Sequence, residues 1–339
     1  MKTGKLGLMN RIAATGLALA FVFAPAYGRQ QPAANKTPDK KEEAKSPMIK
    51  HEYAEVNGVR LHYATAGKGK LIMFVHGFPE FWYEWKNQLA EFGKDYKAVA
   101  PDMRGYNLSS KPAEVEQYQV KYLVEDLRAL AEKLGHKKFI LVAHDWGGAV
   151  AWAFAIAHPD YLEKLVIINA PHPGVFAREL RDNPAQQKAS QYMLFFRSPQ
   201  AEAVLSANNY AQLVQAVLGE GLKTGAFTEQ DKKAYIEAWS QPGALTGGLN
   251  YYRAARVGPP SGEGDKQGTS FAQDMPSLAV KVPTLVIWGE KDTALLTGNL
   301  EGLDKFVPAL TVKRIPDGTH WVIHEKPALI NGYIREFIK

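Results

Sequence analysis

The stretch FILVAHDWGGAV, residues 139–150, has the pattern of a buried apolar strand that ends at a charged residue and continues through two glycines. A strand that turns sharply into a helix leaves the residue at the corner in a strained backbone conformation. That residue is Asp145, and its neighbours Ala143 and Gly147 are small, as a nucleophile elbow requires. An ordinary strand-to-helix turn with an aspartate N-cap is the alternative interpretation.

A second feature, FVHGFPEFW at residues 74–82, matches the needs of a nucleophile at that corner. The strand ends at His76-Gly77, so the backbone N–H of Phe78 can lie opposite the N–H of Trp146. Two converging N–H groups form an oxyanion hole. An ordinary glycine–proline loop is the alternative.

An acid and a base follow downstream. Asp292 ends the late strand in VIWGEKD, and His320 follows the next strand in IPDGTHW. The order Asp145, Asp292, His320 is nucleophile, acid, base. An imidazole base needs a carboxylate to hold its tautomer, and Glu290 is a weaker candidate than Asp292 for that role.

His320 and His324 have the i, i+4 spacing of a metal-binding pair. The zinc-protease pattern also needs a glutamate after the first histidine, and none stands there. No third ligand lies nearby in the sequence, so we expect neither a metal site nor a cofactor.

The pattern along the chain predicts an α/β fold. Asn57-Gly58 joins two alternating runs and predicts a hairpin. Apolar strands and helical stretches then alternate, which favours a mostly parallel, doubly wound sheet with helices on both faces. A helical, aromatic-rich segment interrupts the alternation. We therefore expect a core at residues 51–174 and 275–339 with an inserted helical domain at residues 175–274.

The charge of the chain is concentrated at its N-terminus. The formal net charge is +6, but residues 1–50 carry nine Lys/Arg and three acids, which leaves 32 of each sign in residues 51–339. The folded part is therefore formally neutral, and its composition predicts no nucleic-acid partner. The chain has no cysteine, which excludes disulfides and Cys-ligated zinc.

The N-terminal segment has the order of a secretory signal peptide. Residues 1–11 are basic, IAATGLALAFVFAPA is apolar, and small residues follow up to Gly28. We predict a signal peptide at residues 1–28, cleavage near Gly28, a flexible linker at residues 29–50, and an exported (periplasmic or secreted) protein. The apolar run is shorter than the roughly 20 residues that span a bilayer, so we expect no stable membrane insertion. An uncleaved anchor is the alternative.

The motifs together resemble the epoxide hydrolases of the α/β-hydrolase fold, as an exported bacterial-type member. The resemblance runs from about residue 52 to the C-terminus and rests on HGFPEFWYEW, PDMRGYNLSSKP, HDWGG, LNYYRA, IWGEKD and GTHWVIHEKP. It implies a cap domain inserted after the sixth strand. It also implies two cap tyrosines that hold the epoxide oxygen, and Tyr252 in LNYYRA and Tyr192 in QYMLFF match them. Ala143 stands where a glycine is common.

The resemblance implies hydrolysis of an epoxide to a vicinal diol. A carboxylate is ionised at neutral pH and attacks without a base, so Asp145 would form a covalent ester that water activated by His320 hydrolyses. The expected partners are an apolar epoxide and water. The predicted pocket residues are Phe78, Pro79, Trp82 and Trp146.

Two other functions are open at this stage. A haloalkane dehalogenase shares the aspartate nucleophile, the base and the cap, but it binds the leaving halide with N–H donors. A non-catalytic ligand-binding protein on the same fold is the second. An esterase is disfavoured because no serine stands at the elbow. The sequence does not indicate which epoxide is used or what the oligomeric state is.

Overall fold

The computed structural model describes residues 47–261 and 277–339. The predicted signal peptide and nearly all of the predicted linker lie outside the described residues. Strand β1 (Lys50–Val56) begins at the last residue assigned to the linker, because Lys50 pairs with Thr65. The folded core therefore starts at least one residue earlier than predicted.

One eight-stranded sheet forms the centre of the described fold. After β1 its strands are β2 (Val59–Ala66), β3 (Leu71–Val75), β4 (Lys97–Pro101), β5 (Phe139–His144), β6 (Leu162–Ile168), β7 (Thr284–Gly289) and β8 (Leu310–Ile315). They lie in the order β1-β2-β4-β3-β5-β6-β7-β8. Strands β3 to β8 are parallel, and β1 and β2 extend the sheet in antiparallel pairing. The predicted mostly parallel sheet is confirmed.

The predicted hairpin joins β1 and β2. Asn57 has a φ of 45° and Gly58 a φ of 76°, and Val56 pairs with Val59 across the turn. Positive φ at both central residues is the geometry of a two-residue type I′ turn, which Asn-Gly adopts at low cost.

Alternate residues of the central strands face two separate cores. Met73, Leu141 and Ile167 belong to the cluster on one face. Phe74 and Val142 belong to the cluster on the other. A parallel strand covered on both faces must be apolar at nearly every position, which explains the unbroken apolar runs in the sequence.

Helices cover both faces of the sheet. The core helices are α1 (Lys86–Phe92), α2 (Val120–Lys133), α3 (Asp145–Ala157), and, at the C-terminal end, α11 (Val322–Glu325) and α12 (Pro327–Ile338). Side chains of α2 and α3 pack in the first cluster. Those of α1, α11 and α12 pack in the second. The predicted doubly wound arrangement follows from this division.

A helical segment separates the neighbouring strands β6 and β7. Its helices are α4 (Pro173–Asp182), α5 (Pro184–Ala189), α6 (Gln191–Arg197), α7 (Ala201–Leu213), α8 (Gly219–Thr224), α9 (Glu229–Trp239) and α10 (Ala244–Ala255). The predicted start of the insertion, between residues 174 and 175, falls inside α4, because Pro173 begins that helix. The predicted end, between residues 274 and 275, lies outside the described residues.

Candidate active site

Asp145 stands at the corner between β5 and α3. It is the first helical residue and has a φ of 48°, a left-handed conformation that is uncommon for a non-glycine residue. Among the hydrogen bonds of the described residues, the Asp145 side chain accepts the N–H of Phe78 and not an N–H of α3, so the alternative of an aspartate N-cap does not describe this turn. Glycines allow the helix to start so close to the sheet. A Cβ on Gly147 would lie 2.2 Å from the Val75 carbonyl oxygen.

The carboxylate of Asp145 receives a backbone hydrogen bond. The Phe78 N–H donates to Asp145 Oδ1 over 2.8 Å. Gly77 makes this approach possible, because a Cβ at that position would lie 2.2 Å from the same oxygen. The predicted position of the Phe78 N–H beside the nucleophile therefore agrees with the geometry. The contribution of the Trp146 N–H stays a prediction.

His320 and Asp292 meet beside Asp145 although they lie far from it in the sequence. His320 Nδ1 donates to Asp292 Oδ2 over 2.7 Å, and His320 Nε2 lies 3.7 Å from Asp145 Oδ2. Asp292 is almost fully buried, whereas the His320 side chain is 13% exposed. The structure thus brings the predicted nucleophile, acid and base together.

Asn169 is a residue of this site that the sequence analysis missed. Its Nδ2 donates to Asp292 Oδ2 over 2.8 Å, and its Oδ1 accepts the Gly289 N–H. Asn169 is fully buried with a φ of 39°. The available signal was an asparagine at the end of an apolar strand, in the loop next to the predicted acid.

The electrostatics of the acid–base pair favour its charged form. Burial raises the pKa of Asp292, but the charge and the hydrogen bond of His320 outweigh it, so that the pKa is lowered. Burial also opposes protonation of His320. The charge and the hydrogen bond of Asp292, and then the charge of Asp145, outweigh that effect and raise the pKa of His320 to about 9. His320 is therefore an imidazolium at neutral pH.

The two predicted cap tyrosines lie over the nucleophile. Tyr192 is on α6 and Tyr252 on α10, with ring centroids 6.3 Å apart. Burial, and after it the negative charge of Asp145, raises the pKa of each hydroxyl well above its ordinary value. Both hydroxyls therefore keep their protons, as proton donors must.

A cavity of about 40 Å³ joins these groups. Its lining is mostly apolar and consists of Asp145, Trp146, Ala149, Pro171, Pro173, Phe176, Tyr192, Met193, Tyr252, Val257 and Leu295. This volume holds only a few water molecules.

Two of the predicted pocket residues lie elsewhere. The Trp82 ring packs against His51 on β1 at 4.8 Å, so this side chain faces the β1–β2 edge. The backbone N–H of Trp82 donates to Asp102 Oδ1. The Pro79 carbonyl accepts the Trp239 indole N–H. Neither residue lines the cavity that contains Asp145. Trp146 lines the cavity.

The ring of Phe78, the fourth predicted pocket residue, packs behind one of the cap tyrosines and does not line the cavity. Its ring packs against Tyr252 at 5.6 Å and against Phe196 at 5.1 Å. The side chain therefore supports one of the cap tyrosines, while its backbone N–H serves the nucleophile.

A buried polar cluster lies behind the base, and the sequence analysis did not anticipate it. Ligand atoms of Glu80, Glu84 and His324 lie within 4.8 Å of one another, and of the described residues this is the group close enough to hold a metal ion. Ligand atoms of this group are already hydrogen-bonded to protein side chains. Glu80 accepts from Tyr235 over 2.6 Å and lies 3.0 Å from His324 Nε2.

The two histidines that the sequence suggested as a metal-binding pair bond different acids. His320 turns to Asp292, whereas His324 turns to Glu80. The sequence carried a signal for the buried polar cluster, because two glutamates, Glu80 and Glu84, stand in the aromatic stretch EFWYEW. Acids buried in such a stretch need hydrogen-bonding or charged partners.

The chain matches a family model and curated relatives over most of its length. Residues 70–327 match the family model described as alpha/beta hydrolase fold. The AB hydrolase superfamily protein YfhM of Bacillus subtilis is 41% identical over 295 residues, which are 86% of this chain and 98% of that protein. Epoxide hydrolase 4 of Mus musculus is 36% identical over 301 residues, covering 85% of this chain and 79% of that protein.

Solved structures agree with these relatives. The crystal structure of Bacillus megaterium epoxide hydrolase in complex with an inhibitor matches with a TM-score of 0.79 and 40% identity. The match covers 85% of this chain and 99% of that one. Epoxide hydrolase VrEH1 from Vigna radiata matches with a TM-score of 0.70 and 30% identity, covering 86% and 98%.

Proposed function

Because the chain belongs to the epoxide hydrolases of the α/β-hydrolase fold, we propose that it converts an epoxide to a vicinal diol through a covalent ester of Asp145. The observation that supports this proposal most strongly is that Asp145, Tyr192 and Tyr252 line one cavity, while the Asp145 carboxylate lies 3.7 Å from the His320 imidazole. These groups supply a nucleophile, proton donors and a base within one site.

The first step needs no base. One carboxylate oxygen of Asp145 attacks an epoxide carbon, and the bond between that carbon and the ring oxygen breaks. Tyr192 and Tyr252 hydrogen-bond the leaving oxygen, and one of them gives it a proton. Their raised pKa keeps both protonated until the ring opens.

The second step returns the carboxylate. His320 takes a proton from water, and the hydroxide attacks the ester carbonyl of Asp145. The resulting oxyanion lies where Phe78 N–H now meets Oδ1, and losing one such donor typically costs about 2.7–4 kcal/mol of transition-state stabilisation. The bond between the Asp145 carbonyl carbon and the diol oxygen breaks, and the proton held by His320 goes to that leaving oxygen. The carboxylic acid formed on Asp145 returns its proton to the tyrosine that gave one in the first step, so the diol leaves and the starting enzyme is restored.

Esterification also prepares the base. The charge of Asp145 helps raise the pKa of His320, and that charge is absent in the ester. The imidazole therefore loses its proton more readily in the intermediate than in the free enzyme. This supports the use of His320 as the base of the second step alone.

The test is a trapping experiment. His320→Gln stalls the second step, so the intact mass of the variant after mixing with an aryl epoxide rises by the mass of the epoxide. Asp145→Ala shows no added mass, and the wild type releases diol without accumulating adduct. Undiminished turnover by His320→Gln would contradict the mechanism.

Haloalkane dehalogenation remains the alternative reaction at the same nucleophile. The two tyrosines that line the cavity favour an oxygen leaving group, since such a group needs a proton, whereas a halide needs only hydrogen-bond donors. Offering the purified enzyme matched alkyl halides and epoxides, and measuring halide and diol, separates the two reactions.

We also propose that the enzyme is exported. The proposal rests on the order of basic, apolar and small residues in residues 1–28. Of the described residues, no helix is long and apolar enough to cross a membrane. Fractionation of expressing cells, with the N-terminal sequence of the recovered protein, tests export and cleavage near Gly28.

A further inference from the structure

The buried carboxyl of Glu84 has one hydrogen-bond partner in the described part of the chain. Glu84 is 1% exposed, and its Oε1 lies 2.5 Å from His144 Nδ1. Its Oε2 has no partner among the described residues. A carboxylate with an unpaired buried oxygen would be costly, whereas a carboxylic acid uses one oxygen as a donor.

The hydrogen bond of the second ring nitrogen of His144 shows where the protons of His144 and Glu84 lie. His144 Nε2 lies 2.9 Å from the backbone carbonyl oxygen of His320. A carbonyl oxygen can only accept, so Nε2 must carry a proton. In a neutral His144 the Nδ1 atom is then bare, and the bond to Glu84 needs a proton on the carboxyl group.

The surrounding charges favour this neutral arrangement. Glu84 faces five titratable groups from different elements: His144 on β5, Asp145 on α3, Glu80 before α1, His324 on α11 and His320 after β8. Burial, and then the charge of Glu80, raises the pKa of Glu84 well above its ordinary range. Burial, and then the charge of His320, lowers the pKa of His144 to about 3.

His144 connects both reacting side chains to this carboxyl group. It is the residue before the nucleophile, its ring lies 4.6 Å from the His320 ring, and it bonds the main chain of His320. A neutral His144 fixes that peptide without placing a second positive charge against the imidazolium. The distance between His320 and Asp145 therefore depends on the orientation of His144.

We infer that Glu84 is a positioning residue, which in its protonated form donates to His144 Nδ1 and so locks the His144 bond that holds the backbone of His320 beside Asp145. The inference rests on the proposed function, since it assigns Glu84 to the hydrolysis of the Asp145 ester. It gives a role to a buried acid that takes no part in the chemical steps.

The test compares two replacements of Glu84. Glu84→Leu removes the donor, and hydrolysis of the alkyl-enzyme in single-turnover rapid quench falls roughly tenfold, the loss expected when a buried polar group loses its partner. Formation of the alkyl-enzyme stays near the wild-type rate. Glu84→Gln keeps an N–H donor for Nδ1 and recovers most of the lost rate. Wild-type hydrolysis in Glu84→Leu, or equal loss in both variants, overturns the inference.

Glu80 provides the matched control, because it is a buried glutamate on the same segment that also bonds a histidine. The charge of His324 lowers the pKa of Glu80 despite burial, so an amide does not replace this carboxylate. Glu80→Gln lowers the melting temperature, while Glu84→Gln leaves it nearly unchanged.

A measurement without turnover covers the case in which Glu84→Leu does not fold. The ¹⁵N shifts of His144 in the wild-type enzyme at neutral pH show the neutral Nε2–H tautomer. A doubly protonated His144 overturns the inference. Absence of any alkyl-enzyme in the wild type would count against the proposed function and leave this reading of His144 intact.

Discussion

At the scale of single residues, the choice of aspartate at position 145 divides the reaction into two steps with different needs. The first needs an ionised carboxylate and protonated tyrosines, which burial and the Asp145 charge maintain. The second needs a neutral His320, whose pKa in the free enzyme is raised to about 9. One site can serve both steps because esterification removes the Asp145 charge between them.

This division predicts how the second step depends on pH. The single-turnover rate of ester hydrolysis rises with pH and reaches a plateau, because a base must first lose its proton. The midpoint lies below about 9, since one of the charges that raise the pKa of His320 is absent in the ester. Rapid quench of the preformed intermediate at a series of pH values measures it. A rate that falls as pH rises would contradict the assignment of His320 as base.

At the scale of elements, helix α10 carries Tyr252 into the site by means of a close backbone contact. Gly247 meets Gly105 so closely that a Cβ on Gly247 would lie 2.3 Å from the Gly105 carbonyl oxygen. On the same helix, the Tyr251 hydroxyl donates to the Arg104 carbonyl over 2.8 Å. Contacts with the backbone of residues 104–106 therefore hold α10 against the core, and they set the distance of Tyr252 from the core.

The contact predicts the effect of one added methyl group. Gly247→Ala forces α10 away from the core loop, costs about 1–3 kcal/mol of stability, and slows alkylation more than hydrolysis because Tyr252 moves. Gly332→Ala on α12 is the control, since a Cβ there meets nothing within 4 Å. Thermal unfolding and single-turnover rates test both variants. Wild-type alkylation by Gly247→Ala would show that the seating of α10 does not set the position of the tyrosine.

At the scale of the whole molecule, the buried charged groups make folding stability depend on pH in two directions. Asp292 and Glu80 have lowered pKa values, so the stability they give is present above their unfolded values and is lost as pH falls. His320 and His324 have raised pKa values, so their contribution is full below about pH 6.5 and is lost as pH rises through the folded values.

Stability should therefore be highest near neutral pH and decline on both sides. His320→Gln removes one part of the alkaline decline. The difference in unfolding free energy between wild type and this variant is largest below about pH 6.5, where it is at most about 3 kcal/mol. It decreases most steeply between about pH 6.5 and about pH 9. Calorimetric unfolding across this range measures it. A difference that grows with pH would contradict the charged pairing of His320 with Asp292.

The fold class and the positions at which chemistry is concentrated can be predicted from local sequence pattern. Strand ends, the Asn57-Gly58 turn and the corner at Asp145 follow from local pattern, because backbone geometry depends on neighbouring residues. Position along the chain also identified Asp292 and His320, since the carboxyl ends of neighbouring parallel strands meet at one edge of the sheet.

Which side chains lie in contact with one another depends on tertiary packing. Trp82 stands in the same segment as Glu84, yet one faces the β1–β2 edge and the other the back of the base. Asn169 and Glu80 also acquire their partners from distant segments. The direction of a side chain after a tight turn, and the pKa of a buried acid, depend on atoms that approach from elsewhere in the chain, and local sequence carries little information about them.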